Sequence, residues 1–448
     1  MSPRRPSSEK KILFGAIRLS LLMLLFSQFM FPGWCQTSKS TDWYQFRGPQ
    51  RNGVSSEQGL LGEWPEGGPK ILWTVTGIGQ GYSSPIVAEG ALYITGDMGD
   101  DLVISAFSLD GQKKWSVKNG KAWKGSYPGA RASCLYEAGR LYHMNAHGRV
   151  VCLDAADGRE IWAVDTLERF GARNIKWGMS ECLLLDGDRL IVTPGGEKAL
   201  TAALNKQTGE TIWTGEPLRF TKKEEAGGTA VENPREQTDQ AGYASPVLME
   251  VEGKRLIAGC SSNNFYCVDA ANGKIVWKRQ VPAPWEVIAT MPLVFGDRIV
   301  FSSPDKFGSE CFQVRVEGDQ VRFDSLWKND LDNCHGALVY ANGRIYGSGY
   351  TVFKPWSCVD AESGKILYSK DDLWPGSVIW AENRLYVLIQ SGLMLLLEPT
   401  EKEFVTRGQF QFEERPKSRD AWAHPVIHQG RLYLRYDDRL CCYDVKKK

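Results

Sequence analysis

The chain has 448 residues, 54 basic against 53 acidic side chains, and five histidines. Charge this evenly balanced, with no basic stripe, excludes nucleic acid as the partner, and five histidines leave little room for a His-rich metal centre. The length allows several domains, but one repeat occupies most of it and reads as a single ring.

At the N-terminus Arg4, Arg5, Lys10, Lys11 and Arg18 lead into an apolar run at 19–31, followed by Pro32, Gly33 and Cys35. The run matches the ~7–15 apolar residues of a signal peptide and is shorter than the ~20 of a spanning helix. Residues 1–35 are therefore read as a signal peptide directing export to a periplasm or cell envelope. Retention as an uncleaved membrane anchor is the alternative. Trp34 argues against a lipoprotein site, and Pro and Ser after Arg4-Arg5 argue against a twin-arginine signal. Residues 36–69 are expected to form an extended N-terminal wrap, with Arg47 and Asn52 among Gly and Pro turn residues.

From there one phrase recurs eight times. It reads GALYI at 90–94, GRLYH at 139–143, GDRLI at 187–191, GKRLI at 253–257, GDRIV at 296–300, GRIYG at 343–347, ENRLY at 382–386 and GRLYL at 430–434. A spacing of about 40–50 residues, with one longer interval, marks a repeat architecture. Each copy continues into a strand ending in an acidic turn, then a short strand ending in an aromatic: Trp115, Trp162, Trp213, Trp277, Trp327 and Tyr368. The Asp/Asn-Gly turns between these strands are hairpin signals. Four short strands per unit predict the blade of a β-propeller.

Repeat eight has no aromatic outer strand of its own, while KILWTV at 70–75 is an outer strand with no blade before it. Pairing the two closes the ring and hides two edges. The fold expected is all-β: an eight-bladed propeller of four-stranded blades spanning 70–448, closed by the N-terminal strand, with seven blades as the alternative count. Capping repeats of an open solenoid are not visible. Cys152, Cys267, Cys358 and Cys441 or Cys442 fall at one repeat position on third strands and are expected to be buried thiols in blade cores.

The phrases AADGREIW at 155–162, NKQTGETIW at 205–213 and DAANGKIVW at 269–277 resemble the tryptophan-docking repeat of pyrroloquinoline-quinone (PQQ)-type propellers. DWYQFRGPQRNG at 42–53 and WAHPVIHQGRLYLR at 422–435 resemble segments of exported BamB-like or PQQ-like propellers. The resemblance implies that each Trp stacks on the glycine turn of a neighbouring blade. It transfers a fold and no chemistry, because propellers host unrelated functions. Quinoprotein dehydrogenases of this fold use Glu, Asn and Asp around calcium, a Trp platform, a catalytic Asp and often a vicinal disulfide. The adjacent Cys441-Cys442 is the tempting match. It lies in a strand, RLCCYDV, where neighbours point to opposite faces, so packing is the expected role. No Asp-rich calcium loop is visible.

In a propeller the first strand of each blade lines the axis. Residues at and just before those strands are the site candidates: Tyr82, Arg131, Trp177, Glu181, Tyr243, Trp285, Asn333, His335, Trp422 and His424, with Glu286 and Trp380 beside them. Aromatics among a few polar groups suit a small-molecule or glycan pocket, and His335 and His424 are expected to titrate near neutral pH. The polar stretch 216–242 after the third repeat is a candidate flap over one face.

Three functions compete. The first is a non-catalytic binding or scaffold propeller of the envelope, whose partner is an envelope protein, a polysaccharide or a small molecule. The second is a quinoprotein alcohol or sugar dehydrogenase using PQQ and calcium. The third is a hydrolase or lyase built on His335, His424 and Glu181.

Overall fold

Strand pairing follows the repeat. The computed structural model describes residues 42–222, 229–305, 307–413 and 420–448; the expected signal segment and 223–228 of the insertion lie outside the described residues. Eight antiparallel blades follow one another. In blade 1 the strands are Ile86–Ala88, Ala91–Met98, Asp101–Ser108 and Lys113–Lys121. The short first strand is innermost, and the recurring phrase forms the second.

The hairpin at the start of that phrase takes two forms. In blade 1, Ala88 pairs with Ala91 across Glu89-Gly90, both with positive φ (47° and 74°). Blades 2, 4, 6 and 8 repeat this with Gly second, and blade 7 uses Glu382-Asn383. In blades 3 and 5 the loops are Gly187-Asp188 and Gly296-Asp297, and only the glycine has positive φ. The first pattern is that of type I′ turns and the second that of type II′, whose glycine comes first.

Blade 8 takes its first three strands from Val426–His428, Arg431–Tyr436 and Arg439–Asp444, and its fourth from Lys70–Thr76. The register places Thr74 opposite Cys441 and Trp73 opposite Cys442. The N-terminal strand therefore closes the ring, as the sequence suggested. All ten described cysteines are buried free thiols, and Cys441-Cys442 lies inside this blade.

Neighbouring blades are joined by indoles. Trp115 donates through Nε1 to the Ala155 carbonyl (3.1 Å), Trp162 to that of Lys206 (3.1 Å), Trp327 to that of Ala361 (3.0 Å) and Trp73 to that of Leu109 (2.9 Å). The rings lie so close to the turn glycines that a Cβ on Gly158 would sit 2.8 Å from Trp115, and one on Gly111 would sit 3.0 Å from Trp73. Trp277 instead stacks on Phe323 (4.6 Å between centroids) and Phe301 (5.4 Å) of blade 5. In blade 7 no outer-strand Trp is present; Trp64 from the N-terminal segment packs on Phe410 and Tyr386.

The N-terminal segment turns inward before it reaches the outside of blade 8. Its backbone bonds to the inner strands of blade 1 (Val87 to Trp43), blade 2 (Tyr136 to Tyr44) and blade 7 (Trp380 to Gly53). The buried Arg51 guanidinium donates to the carbonyls of Cys182, Leu183 and Pro246, and the buried Arg47 to that of Leu338. Glu57 accepts from Gln429 and Gly430 at the blade 8 turn. The axis is thus crossed by chain rather than left open.

Replacing Trp73 with Ala at the closing seam is expected to lower unfolding free energy by about 2–4 kcal/mol. Trp73→Phe, which loses the indole bond and keeps a ring, is expected to cost about 1 kcal/mol. Urea titration of both variants checks this.

Candidate functional site

The loops leading into first strands and those joining second to third strands share one face of the ring. Together they enclose an axial cavity of about 480 Å³. Phe46, from the segment that crosses the axis, is part of its wall. The cavity is a funnel with a floor.

Eight of the ten candidate residues line it: Tyr82, Arg131, Trp177, Tyr243, Trp285, His335, Trp422 and His424. Trp422 is the hub. Its ring lies 4.4 Å from His335 in a stacked arrangement, 5.1 Å from Tyr82 and 5.3 Å from Tyr127. Tyr350 meets His335 edge-on at 4.7 Å, and Phe46 meets His424 edge-on at 5.0 Å. Elsewhere on the wall Trp177 and Tyr243 pack at 5.9 Å, and the Lys176 ammonium sits 4.6 Å from the Trp177 ring and 5.8 Å from that of Trp285.

Glu181 and Asn333 belong to the blades instead. Glu181 is buried, accepts from the Thr193 amide (2.9 Å) and does not line the cavity. Asn333 is buried too, donating to the Ser348 carbonyl (2.7 Å) and accepting from Thr290 (3.2 Å). Trp380 lies in the first strand of blade 7, stacked on Tyr346, and Glu286 meets Lys222 of the insertion at 3.3 Å. The insertion contributes a small hairpin, Arg219–Thr221 with Glu236–Thr238, and none of its described residues lines the cavity.

Sequence reasoning missed Phe46, Tyr127, Asp305 and Tyr350. Asp305 and Tyr350 sit on loops between second and third strands, which share the face of the loops that were searched. Their place between those strands is the signal that marks both.

Charge on the wall is sparse and committed. Arg131 donates to the carbonyls of Gly129, Ser126 and Tyr127, and burial holds it down to about 10, still protonated at neutral pH. Asp305 is the only carboxylate among the described lining residues, and burial raises its pKa. The two histidines do not titrate near neutrality as expected. Burial holds His335 down to about 4, and burial with the nearby Arg47 charge holds His424 down to about 3. His424 Nε2 faces the His335 carbonyl at 3.1 Å. With Glu181 absent from the wall, the three-residue hydrolase constellation is not assembled.

The donor set does not fit calcium and quinone either. Among the described residues no three His, Cys, Asp or Glu side chains come together as cation ligands. Arg131 is the only Arg or Lys of the described lining and is already engaged, and Cys441-Cys442 does not line the cavity.

One carboxylate below the rim shapes the funnel indirectly. Asp332 accepts from four successive amides, Tyr350 (3.0 Å), Thr351 (3.1 Å), Val352 (2.8 Å) and Phe353 (3.2 Å), fixing the loop that carries Tyr350.

These features define a closed eight-bladed β-propeller with a floored, aromatic axial funnel. A profile of the family described as outer membrane protein assembly factor BamB matches residues 103–366. The chain belongs to that family. It is 22% identical over 303 residues to outer membrane protein assembly factor BamB of Yersinia pestis, covering 64% of this chain and 67% of that one. It is 26% identical over 200 residues to the dehydrogenase subunit of a quinone alcohol dehydrogenase from Gluconacetobacter polyoxogenes, covering 41% of this chain but only 24% of that protein. Among solved structures, a europium-containing methanol dehydrogenase superposes with a TM-score of 0.62 at 11% identity, covering 88% of this chain and 89% of that one. Identity that low speaks for the fold alone.

Asp332→Ala is expected to speed amide hydrogen exchange at residues 350–353 at least about tenfold, read by mass spectrometry. The pH dependence of stability should have two arms. His143 (about 4), His335 and His424 stay neutral where the unfolded chain, at 6.5, takes up protons, so stability falls as pH drops from 6.5 towards 4. Burial pushes Glu181 from 4.5 up to about 8, so it keeps a proton the unfolded chain has lost, and its contribution falls as pH rises between those values. Glu181→Gln should flatten the alkaline arm and leave the acid arm, measured by urea unfolding across the pH range.

Proposed function

We propose that this protein is a non-catalytic binding propeller of the cell envelope, holding a ligand or an envelope protein at its funnel face. The observation that carries the reading is the funnel itself: aromatic, floored, and lined by charged groups already engaged with the protein. A pocket of this size and composition suits binding; of the acid–base groups on the described wall, His335 packs against Trp422 and Tyr350, and His424 packs against Phe46. The family described as an outer membrane protein assembly factor supports an envelope setting and a protein partner. The basic N-terminal residues followed by an apolar run support export.

The similarity to a quinone alcohol dehydrogenase subunit gives the competing reading its test. Purified protein titrated with pyrroloquinoline quinone and calcium is expected to show no saturable dye reduction with alcohols or aldoses. Saturable turnover that depends on the added quinone overturns the proposal.

A further inference from the structure

The wall of the funnel has a specific chemical character. Its broad surfaces are ring faces: Trp422 flanked by Tyr82, Tyr127 and His335, and elsewhere Trp177 with Tyr243. Trp285, at the rim, leaves 51% of its surface open to solvent, so an indole is exposed where a ligand enters. Between the rings lie hydroxyls with capacity to spare. Ser180 Oγ donates to the Tyr243 carbonyl (2.9 Å) and keeps lone pairs to accept with. Thr351 Oγ1 accepts from the Asp305 amide (3.3 Å), bonds to the Asp305 carboxylate, and keeps a lone pair to accept with. In formal charge the wall cancels: one Arg131 against one Asp305 among the described lining residues.

Each property narrows the ligand. A purely apolar ligand would strand the hydroxyls, since a buried polar group without a partner is costly. A strongly anionic ligand would have to draw Lys176 off the Trp177 and Trp285 rings or Arg131 off its three carbonyls. A cationic one would meet the single carboxylate of Asp305, which is bonded to Thr351. A ligand with flat, C–H-rich faces and hydroxyls around its edge meets both requirements at once. Pyranose rings whose substituents are all equatorial have this form, and β-linkage keeps successive rings extended and flat-faced. A cavity of about 480 Å³ falls within the ~300–1,000 Å³ of small-molecule sites, which is room for a chain end and not for a folded polymer.

We infer that the axial funnel binds the end of a neutral, β-linked saccharide chain, with Trp422 as the inner stacking platform and Trp285 as the outer one. This rests on the reading of the funnel as a binding site and adds the class of ligand. The floor made by the axis-crossing segment implies that the chain enters from one face and stops.

The test is isothermal titration of the full chain with cellotetraose, with maltotetraose and tri-galacturonate run alongside. Cellotetraose is expected to bind saturably with Kd of about 0.01–1 mM, and each of the other two at least about tenfold more weakly. Trp422→Ala should abolish binding. Because Trp422 is half-buried and its loss could disturb folding, Trp285→Ala, on an exposed side chain, serves as the second variant and should weaken binding at least about fivefold. Ile212→Ser, on the exposed outer strand of blade 3, should leave it unchanged. No saturable heat with cellotetraose, tri-galacturonate binding as tightly, or unchanged affinity in Trp285→Ala overturns the inference. The same preparations assayed with quinone and calcium separate the two failures. Cellotetraose silence without quinone turnover removes the saccharide alone, whereas quinone turnover removes the binding reading as well.

Discussion

Two guanidinium groups at the axis hold together blades that no backbone ladder connects. A propeller ring has strong pairing within blades and, between them, side-chain contacts with isolated backbone bonds such as Tyr82 to Ala130 and Tyr243 to Ile288. At its centre the first strands diverge, and their terminal carbonyls face a channel. Arg51 reaches carbonyls of blades 3 and 4, and Arg47 one of blade 6. Burying a guanidinium is expensive unless its donors are met, and burial lowers both arginines, to about 9 for Arg47 and about 10 for Arg51, without discharging them at neutral pH. Both residues also hold left-handed backbone, φ 63° and 54°, a cost that the surrounding contacts must offset. The floor of the funnel, and hence its one-sidedness, depends on this crossing.

What could be read from sequence divides along the same physical line. Blade number, strand order and closure were legible because they rest on local periodic signals: a turn with positive φ, an alternating strand, an aromatic at a fixed offset. The two turn forms were not legible: GKRLI of blade 4 is spelled like GDRLI of blade 3, yet its glycine stands second in the turn and Gly187 first. The indole contacts were legible, since Trp73, Trp115, Trp162, Trp213 and Trp327 are each followed one repeat later by the glycine they meet, Trp277 being the exception.

The site was legible only where the axis rule applied. Residues at the starts of first strands met around the funnel because the ring brings those positions together whatever their identity. Glu181 and Asn333 obey the same rule by position, yet alternation turns their side chains into the blade interior, where Thr193 and Ser348 hold them. Phe46 was hidden for a different reason. Nothing in DWYQFRGPQRNG announces that it will run through the centre of a ring, because that path is set by carbonyls more than a hundred residues away. The neutral state of His335 and His424 was hidden too, being a property of burial rather than of motif.

The seam in blade 8 has a consequence for how the molecule comes into being. Strand Lys70–Thr76 is synthesised before the seven blades that lie between it and its partner, Arg439–Asp444, which follows them. His428, in the first strand of blade 8, also meets Asp42 of the N-terminal segment (3.1 Å), and Asp42 in turn accepts from the Glu89 amide of blade 1. Seven blades can pair internally as they emerge, while the N-terminal strand and the axis-crossing segment wait with exposed edges for the strands of blade 8. Closing so long a loop is entropically slow. Until it closes there is no funnel, so competence to bind arrives all at once, with the final strand.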